Sequence, residues 1–468
     1  MSTATPVDAA TATDIEVHDP ATGELVGRVR PADAGEVDDA VGRARAAHDG
    51  WVRTPAADRA GLVRDAAGAL RGVAEELARL NETETGRPYD DGLGGVLAAA
   101  GTLEQYAELG PVHRGRSLQG SWSATDLMVP EPRGVAAVLT PWNDPVAVAA
   151  GLIGAALVTG NTVVHKPSER CPHLGRRFAE LVASFLPEGV LEIVDGAGPT
   201  GATLAGHHDV DLIAHVGSIA AGQAIRQAAA GTGAHVLLEN GGNDPLVIDA
   251  GVDPRWAAEQ AALGSYANGG QVCVSVERIY VAAAIAEPFL DALAEEAGRW
   301  VYRPSAAGEK ALGPVVDRRH REHVHSHVAA AIADGATVHA GGYVPEGDGA
   351  FYPATVLSGL TPAISILREE TFGPVAPVRV VEDFAQGLAE AVDDPHGLAA
   401  TVLTGDMAHA QQAWRELPVG TVKINAVFGG APGGAAEPRG TSGTGFGYGP
   451  ELLDEMTTTK VVHWSPLP

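Results

Sequence analysis

The chain has 468 residues, with 32 Lys and Arg against 59 Asp and Glu, giving a formal net charge of −27. That field repels phosphates and excludes a basic nucleic-acid binder, while 45% hydrophobic and only 19% charged residues exclude an acidic disordered chain. Two cysteines, Cys171 and Cys273, cannot make a disulfide framework and fit a reducing cytoplasm. No basic start or apolar run at the N-terminus reads as a signal peptide. The longest uncharged apolar stretch, 145–160, is Gly-rich and too short for a bilayer, so no membrane partner is expected.

Taken in chain order, residues 1–14 read as a flexible tail and 37–80 as helical, with apolar residues three and four apart. Residues 121–131 read as a short strand. An alternation follows: strand 135–140, buried helix 145–160, strand 162–165, amphipathic helix 171–186, strand 191–194, then strand 212–216 and helix 220–230. This order predicts an α/β fold with a doubly wound parallel sheet. A second α/β unit is expected to open near His235, with strands at 235–238, 278–281 and 375–381. The C-terminal stretch 460–464 reads as a last strand, suited to pair with another part of the chain or another subunit.

Several short motifs fall at the ends of these strands, where α/β proteins gather their chemistry. Pro141-Trp142-Asn143 offers a side-chain amide able to donate to an oxyanion. Lys166-Pro-Ser168-Glu169 pairs an ammonium with a carboxylate suited to a ribose diol. Gly196-Ala-Gly198-Pro-Thr-Gly201 matches G-x-G-x-x-G, a weak signal in a chain with 59 glycines. Gly217-Ser218 opens a helix and can cap it or hold phosphate. Glu239 ends a strand before Asn240-Gly241-Gly242, and Gly270-Gln-Val-Cys273 carries a cysteine that is either a small core residue or a nucleophile. Glu369-Glu370-Thr-Phe372-Gly-Pro precedes a strand. The histidines at 320, 323, 325 and 327 are interleaved with Arg and Glu and read as an exposed helix face; no metal site is expected.

No motif is specific alone, but their order is. With Gly420-Thr-Val-Lys-Ile-Asn425, Glu84-Thr-Gly86-Arg-Pro88 and Pro132-Arg-Gly134-Val, the series resembles the NAD(P)-dependent aldehyde dehydrogenase superfamily from about residue 24 to 464. The resemblance implies Cys273 as nucleophile, Asn143 with the Cys273 backbone N–H as oxyanion hole, and Glu239 as the base that activates water. It implies cofactor contacts from Thr140, Pro141, Trp142, Lys166, Ser168, Glu169, Gly196, Gly201, Gly217, Ser218, Gly241, Glu370 and Phe372. Glu169, placed at a ribose, would repel a 2′-phosphate, so NAD is the expected cofactor, and the presence of Glu239 points to hydrolysis in place of acyl transfer to coenzyme A.

The resemblance divides the chain into an NAD-binding domain of residues 1–113 and 133–238, a catalytic domain of residues 239–441, and a small β oligomerisation arm of residues 114–132 and 457–468. A cytoplasmic homodimer or homotetramer acting on a small-molecule aldehyde is expected. Two alternatives are a semialdehyde dehydrogenase with an anionic substrate, which would need an arginine pair in the tunnel, and a non-catalytic relative that kept the fold as a binding or structural protein.

Four departures from the usual pattern bear on the substrate: Asp144 after Pro-Trp-Asn, Asn240 and Asn243 around the paired glycines, His215-Val216 before Gly217, and Ala436-Glu437-Pro438 in the C-terminal loop. Asp144 is expected to attract cationic or hydroxylated aldehydes. Gly429, Gly430, Gly433 and Gly434 are expected to leave the pocket loop open beside Phe428.

Overall fold

Two largely parallel sheets carry the chain in a computed structural model that describes residues 13–302, 306–430 and 434–467. The expected tail falls mostly outside these residues, as does Gly433. The first sheet has six strands in the spatial order Gly443–Thr444, His235–Glu239, Leu212–Val216, Val135–Leu139, Thr162–Lys166, Leu191–Ile193. All neighbours run parallel except the edge strand Gly443–Thr444, which is antiparallel to His235–Glu239. Central strands are buried on both faces, so Val135–Leu139 and Thr162–Val164 are continuous apolar or Thr-containing runs without alternation.

Between these strands lie the helices Pro145–Thr159, Pro172–Ala183, Gly198–Ala205 and Ile219–Thr232. The first is buried along almost its whole length and ends at Gly160, whose φ of 98° accommodates the left-handed cap. Ahead of the sheet, the expected helical stretch 37–80 is three helices, Ala34–Arg53, Ala56–Gly72 and Ala74–Thr85, followed by a fourth, Tyr89–Leu109. Pro55, which has no N–H to continue a ladder, separates the first two.

The second sheet has seven strands in the order Thr337–Ala340, Thr355–Ser358, Val375–Val381, Val276–Ala282, Asp244–Ile248, Ala399–Leu403, Thr421–Ile424; only the first is antiparallel to its neighbour. The expectation that this unit opens at His235 is corrected. His235–Glu239 pairs in parallel with Leu212–Val216 through the crossover helix Ile219–Thr232 and so belongs to the first sheet. Glu239 therefore ends the first sheet, and Asp244, five residues on, starts a strand of the second. A third, three-stranded antiparallel sheet joins Arg116–Leu118, Thr125–Pro132 and Thr457–Trp464, the last two in register over eight residue pairs. Among the described residues no helix is long and apolar enough to cross a membrane.

A buried ion pair ties the second sheet to the loop after Glu239. Arg278 and Asp394 are almost fully buried, 3.4 Å apart, and Arg278 Nε donates to the Asn243 carbonyl at 2.7 Å. Arg278→Met leaves the buried Asp394 with only His396 and the Asn243 amide as partners and is expected to destabilise the fold by about 3 kcal/mol in a urea titration. The double variant with Asp394→Leu should recover a substantial part of that loss; full additivity of the two losses would disprove the coupling.

Candidate active site

Cys273 sits in a loop forced into shape by consecutive left-handed residues: Asn268 at φ 50°, Gly269 at φ 65° and Gly270 at φ 74°. A Cβ on Gly270 would overlap the Gly373 carbonyl, so glycine is required where the loop meets the 370–374 turn. Asn268 tolerates its conformation because its amide donates to the Gln271 carbonyl at 3.2 Å and to the Asn143 carbonyl at 3.3 Å. Asn143 comes from the other sheet, just beyond Val135–Leu139, and its Nδ2 donates to the Gln271 carbonyl at 3.1 Å. Asn143 is thereby held beside the cysteine loop, with one amide hydrogen left to donate.

Cys273 is half-buried, and burial together with Glu239, Asp244 and Glu370 pushes its thiol pKa up to about 12; Lys423 opposes them. Lys423 Nζ donates to the Val427 carbonyl at 2.9 Å and lies 5.7 Å from the centre of the Phe428 ring. Glu239 is raised to about 7 by burial, partly offset by the Gly447 N–H, which donates to its Oε1 at 3.1 Å. A Cβ at Gly447 would overlap the Glu239 carboxyl, so this contact also needs glycine. A carboxyl titrating near neutrality can take a proton from water at the pH of catalysis. Asp244 is pushed up to about 8 by burial and has one oxygen without a partner, the other accepting from the Ala399 N–H at 3.1 Å.

The expected cofactor residues gather along the C-terminal edge of the first sheet. Lys166 Nζ donates to the carbonyls of Gly196 and Pro167 at 2.7 and 2.8 Å and lies 3.9 Å from the half-exposed Glu169 carboxylate. Two of its three hydrogens are used, and the third remains for a ligand oxygen. Gly201 packs against Leu139 and the Lys166 stem. Ser218 caps the helix Ile219–Thr232 by accepting from the Ala221 N–H, and Gly217 is needed because a Cβ there would meet the His215 ring at 2.6 Å. Glu370, raised to about 7 by burial, accepts from the Gly242 N–H at 3.1 Å, a reach possible only because Gly241 has no Cβ.

The first sheet's edge offers a cation, the Glu169 carboxylate and a capped helix start, and Glu370 reaches in from the turn before Val375–Val381 of the second sheet, a donor set that fits a dinucleotide. Two expected contacts are turned inward. The Thr140 hydroxyl bonds His165 Nε2 at 2.9 Å, and Ser168 Oγ accepts from the Arg170 N–H at 3.3 Å, so each has a structural partner within the fold.

The exposed-face expectation for the histidines is corrected. Only His323 is exposed. His320 Nε2 donates to the Phe372 carbonyl at 2.7 Å, and its ring packs edge-on against Trp142 at 5.6 Å; burial lowers its pKa to about 4, so it is neutral. His325 bonds the Tyr352 hydroxyl and His327 the Thr371 hydroxyl. The helix Arg318–Ala333 turns 320, 324, 327 and 328 to one inner face, which the charged neighbours in sequence conceal.

Sequence reasoning missed three further residues. Glu277 accepts from the N–H groups of Thr371 and Phe372 at 3.1 and 3.0 Å and so holds the turn that presents Glu370, with Phe372 at a strained φ of 52°. Its signal was a charged residue in the strand-like Val276–Ala282. Ser442 Oγ donates to the Gly241 carbonyl at 2.9 Å and accepts from the Gly397 N–H. Arg87 pairs with Asp144 at 2.9 Å and donates to the Asn143 carbonyl at 3.1 Å. Cys171, fully buried at the start of its helix with a thiol raised by burial, is a core residue as expected.

The model of the aldehyde dehydrogenase family matches residues 7–462. Among curated relatives, 3,6-anhydro-alpha-L-galactose dehydrogenase of Vibrio sp. (strain EJY3) is 33% identical over 440 residues, 92% of this chain and 91% of the relative. Lactaldehyde dehydrogenase of Escherichia coli (strain K12) is 32% identical over 453 residues, 96% of this chain and 95% of the relative. Among solved structures, an NAD+ complex of an aldehyde dehydrogenase from Bacillus cereus superposes with a TM-score of 0.92 at 32% identity, covering 97% of this chain and 93% of that one.

Proposed function

Because this chain belongs to the aldehyde dehydrogenase family, we propose that it oxidises an aldehyde to the free carboxylic acid with NAD, using Cys273 as nucleophile and Glu239 as base. The observation that carries the reading is the meeting of three groups from distant segments: the Cys273 thiol, the Asn143 amide tethered to its loop, and a Glu239 carboxyl poised near pH 7.

Cys273 Sγ adds to the aldehyde carbon as its thiol proton leaves to water. The oxyanion so formed receives hydrogen bonds from Asn143 Nδ2 and the Cys273 backbone N–H. NAD, when bound, would supply the hydride acceptor for oxidation of this adduct to a thioester. Glu239 then takes a proton from water as its oxygen attacks the thioester carbon, and the C–S bond breaks to release the acid and the cysteine sulfur. Lys166, Glu169, Ser218 and Glu370 would hold the dinucleotide, with Gly196, Gly201, Gly217 and Gly241 clearing its path and Trp142, Pro141 and Phe372 forming the wall by the nicotinamide.

On this reading, residues 1–113 and 133–238 bind the dinucleotide, residues 239–441 carry catalysis, and residues 114–132 with 457–468 form an oligomerisation arm of a homodimer or homotetramer. The exposed Val461 and Trp464 on the edge strand Thr457–Trp464 support a pairing role for the arm. A cytoplasmic location is supported by two free cysteines, one of which must stay reduced to act. The anionic-semialdehyde alternative gains little: the arginine beside Asn143 is already neutralised by Asp144.

The test is NADH formation by the purified chain across a panel of short aldehydes, run with NAD and NADP. Activity should need no coenzyme A. From the Glu169 carboxylate, kcat/KM with NAD is expected to exceed that with NADP by about tenfold or more, and Glu169→Gln should narrow the gap. Equal efficiency with both cofactors in the wild type would refute the Glu169 assignment.

A further inference from the structure

Asp144 was expected to present a free negative charge to the substrate, and it does not. Its Oδ1 lies 2.9 Å from Arg87 Nη1, which also donates to the carbonyl of Asn143 at 3.1 Å. The pair is therefore fastened to the backbone of the residue whose amide faces the reacting oxygen. The opposite helix makes room for it: a Cβ on Gly95 would lie 3.1 Å from Asp144 Oδ1 and 3.7 Å from the Arg87 guanidinium carbon. An ordinary side chain at that position of the Tyr89–Leu109 helix would push the carboxylate aside. The pair is also unfinished. Arg87 Nε is buried with no partner, and the Asp144 side chain is 36% exposed.

A buried N–H without an acceptor beside a half-open carboxylate is a donor and an acceptor awaiting one polar group. A hydroxyl supplies both halves, donating to Asp144 and accepting from Arg87. A cationic substituent would have to displace Arg87 from Asp144. An anionic one would meet Asp144, with Asp91 also within electrostatic reach of Arg87. Arg87 bonds the backbone carbonyl of Asn143, whose own side chain serves the reacting carbonyl, so a substituent held by the pair belongs near the reacting end of the substrate.

We propose that the Arg87–Asp144 pair, given space by Gly95, selects short neutral aldehydes bearing a hydroxyl on C2 or C3. This rests on the oxidation reading above and adds its substrate class. Arg87 and Asp144 act on the substituent, away from the reacting carbon, so their signature is discrimination between substrates.

The experiment measures kcat/KM of the full chain with NAD for 2-hydroxypropanal, propanal, betaine aldehyde and succinic semialdehyde, in the wild type and in Asp144→Asn, Arg87→Met and Gly95→Ala. The wild type should prefer 2-hydroxypropanal to propanal by about tenfold or more, because a site built to bond a hydroxyl penalises the analogue that lacks it. Each variant should cut that ratio at least about fivefold. Thermal melts run alongside; the near-isosteric Asp144→Asn serves if Arg87→Met does not fold.

A wild-type ratio near one, a preference for betaine aldehyde or the semialdehyde, or an unchanged ratio in a folded Asp144→Asn protein would overturn the proposal alone. Failure of every aldehyde to yield NADH would overturn the oxidation reading and this one with it.

Discussion

Replacing Cys273 by alanine is expected to remove aldehyde-dependent NADH formation, lowering kcat/KM by at least about 10⁴-fold while the fold stays intact. The loss is large because no other described side chain can take over the covalent step. Cys171 is fully buried at the start of the helix Pro172–Ala183. Serine is a less severe substitution in shape, but its alkoxide is harder to form where burial, with the nearby carboxylates, already pushes the thiol up to about 12. The measurement is steady-state NADH absorbance alongside a thermal melt. A Cys273→Ala protein that melts normally and still produces NADH above about 1% of the wild-type rate would contradict covalent catalysis at this residue.

Glu239→Gln should leave the first half of the reaction and stop the second. The amide keeps the shape and can still meet the Gly447 N–H, but it cannot take a proton from water. Steady-state kcat is expected to fall about 10²–10⁴-fold, with a burst of NADH of up to one equivalent per site as the thioester accumulates. The pH dependence follows from the same carboxyl. Burial lifts its pKa to about 7, so the active carboxylate form grows as pH rises through 7 and is lost as pH falls below it. A deacylation-limited kcat should rise between about pH 6 and 8 in the wild type, and that limb should vanish in Glu239→Gln. A burst-free variant, or an unchanged pH limb, would move the base elsewhere.

Much of this site was legible before any coordinates. Cys273, Glu239 and Asn143 stand in short motifs whose order along the chain carries the family resemblance, and that resemblance implies the roles proposed for them. Glu370 and Gly241 belong to the same class: the carboxylate reaches the Gly242 N–H because the glycine beside it is bare. The parallel sheet was legible for a related reason, since a strand buried on both faces, such as Val135–Leu139, is apolar over its whole length.

What misled was partnership across the chain. His320 looked exposed among Arg and Glu, yet its helix turns it against Trp142 and Phe372. The strand His235–Glu239 looked like the start of a new unit, yet it pairs with the strand before it. Glu277 gave no sign that it holds the Glu370 turn, because its two donors lie more than ninety positions further along the chain.

The division has one physical cause. Residue type and local spacing are covalent facts: they offer a thiol, a carboxyl, an amide and glycines at strand ends, and the order of the motifs, through the family resemblance, is what implies their roles. Charge state and accessibility are sums over everything that packs nearby. Only the folded chain puts Arg87 against Asp144 and turns an expected lone charge into a neutral pair open to a hydroxyl. Only burial, which outweighs the hydrogen bond from the Gly447 N–H, moves Glu239 from an ordinary carboxylate to one raised to about 7.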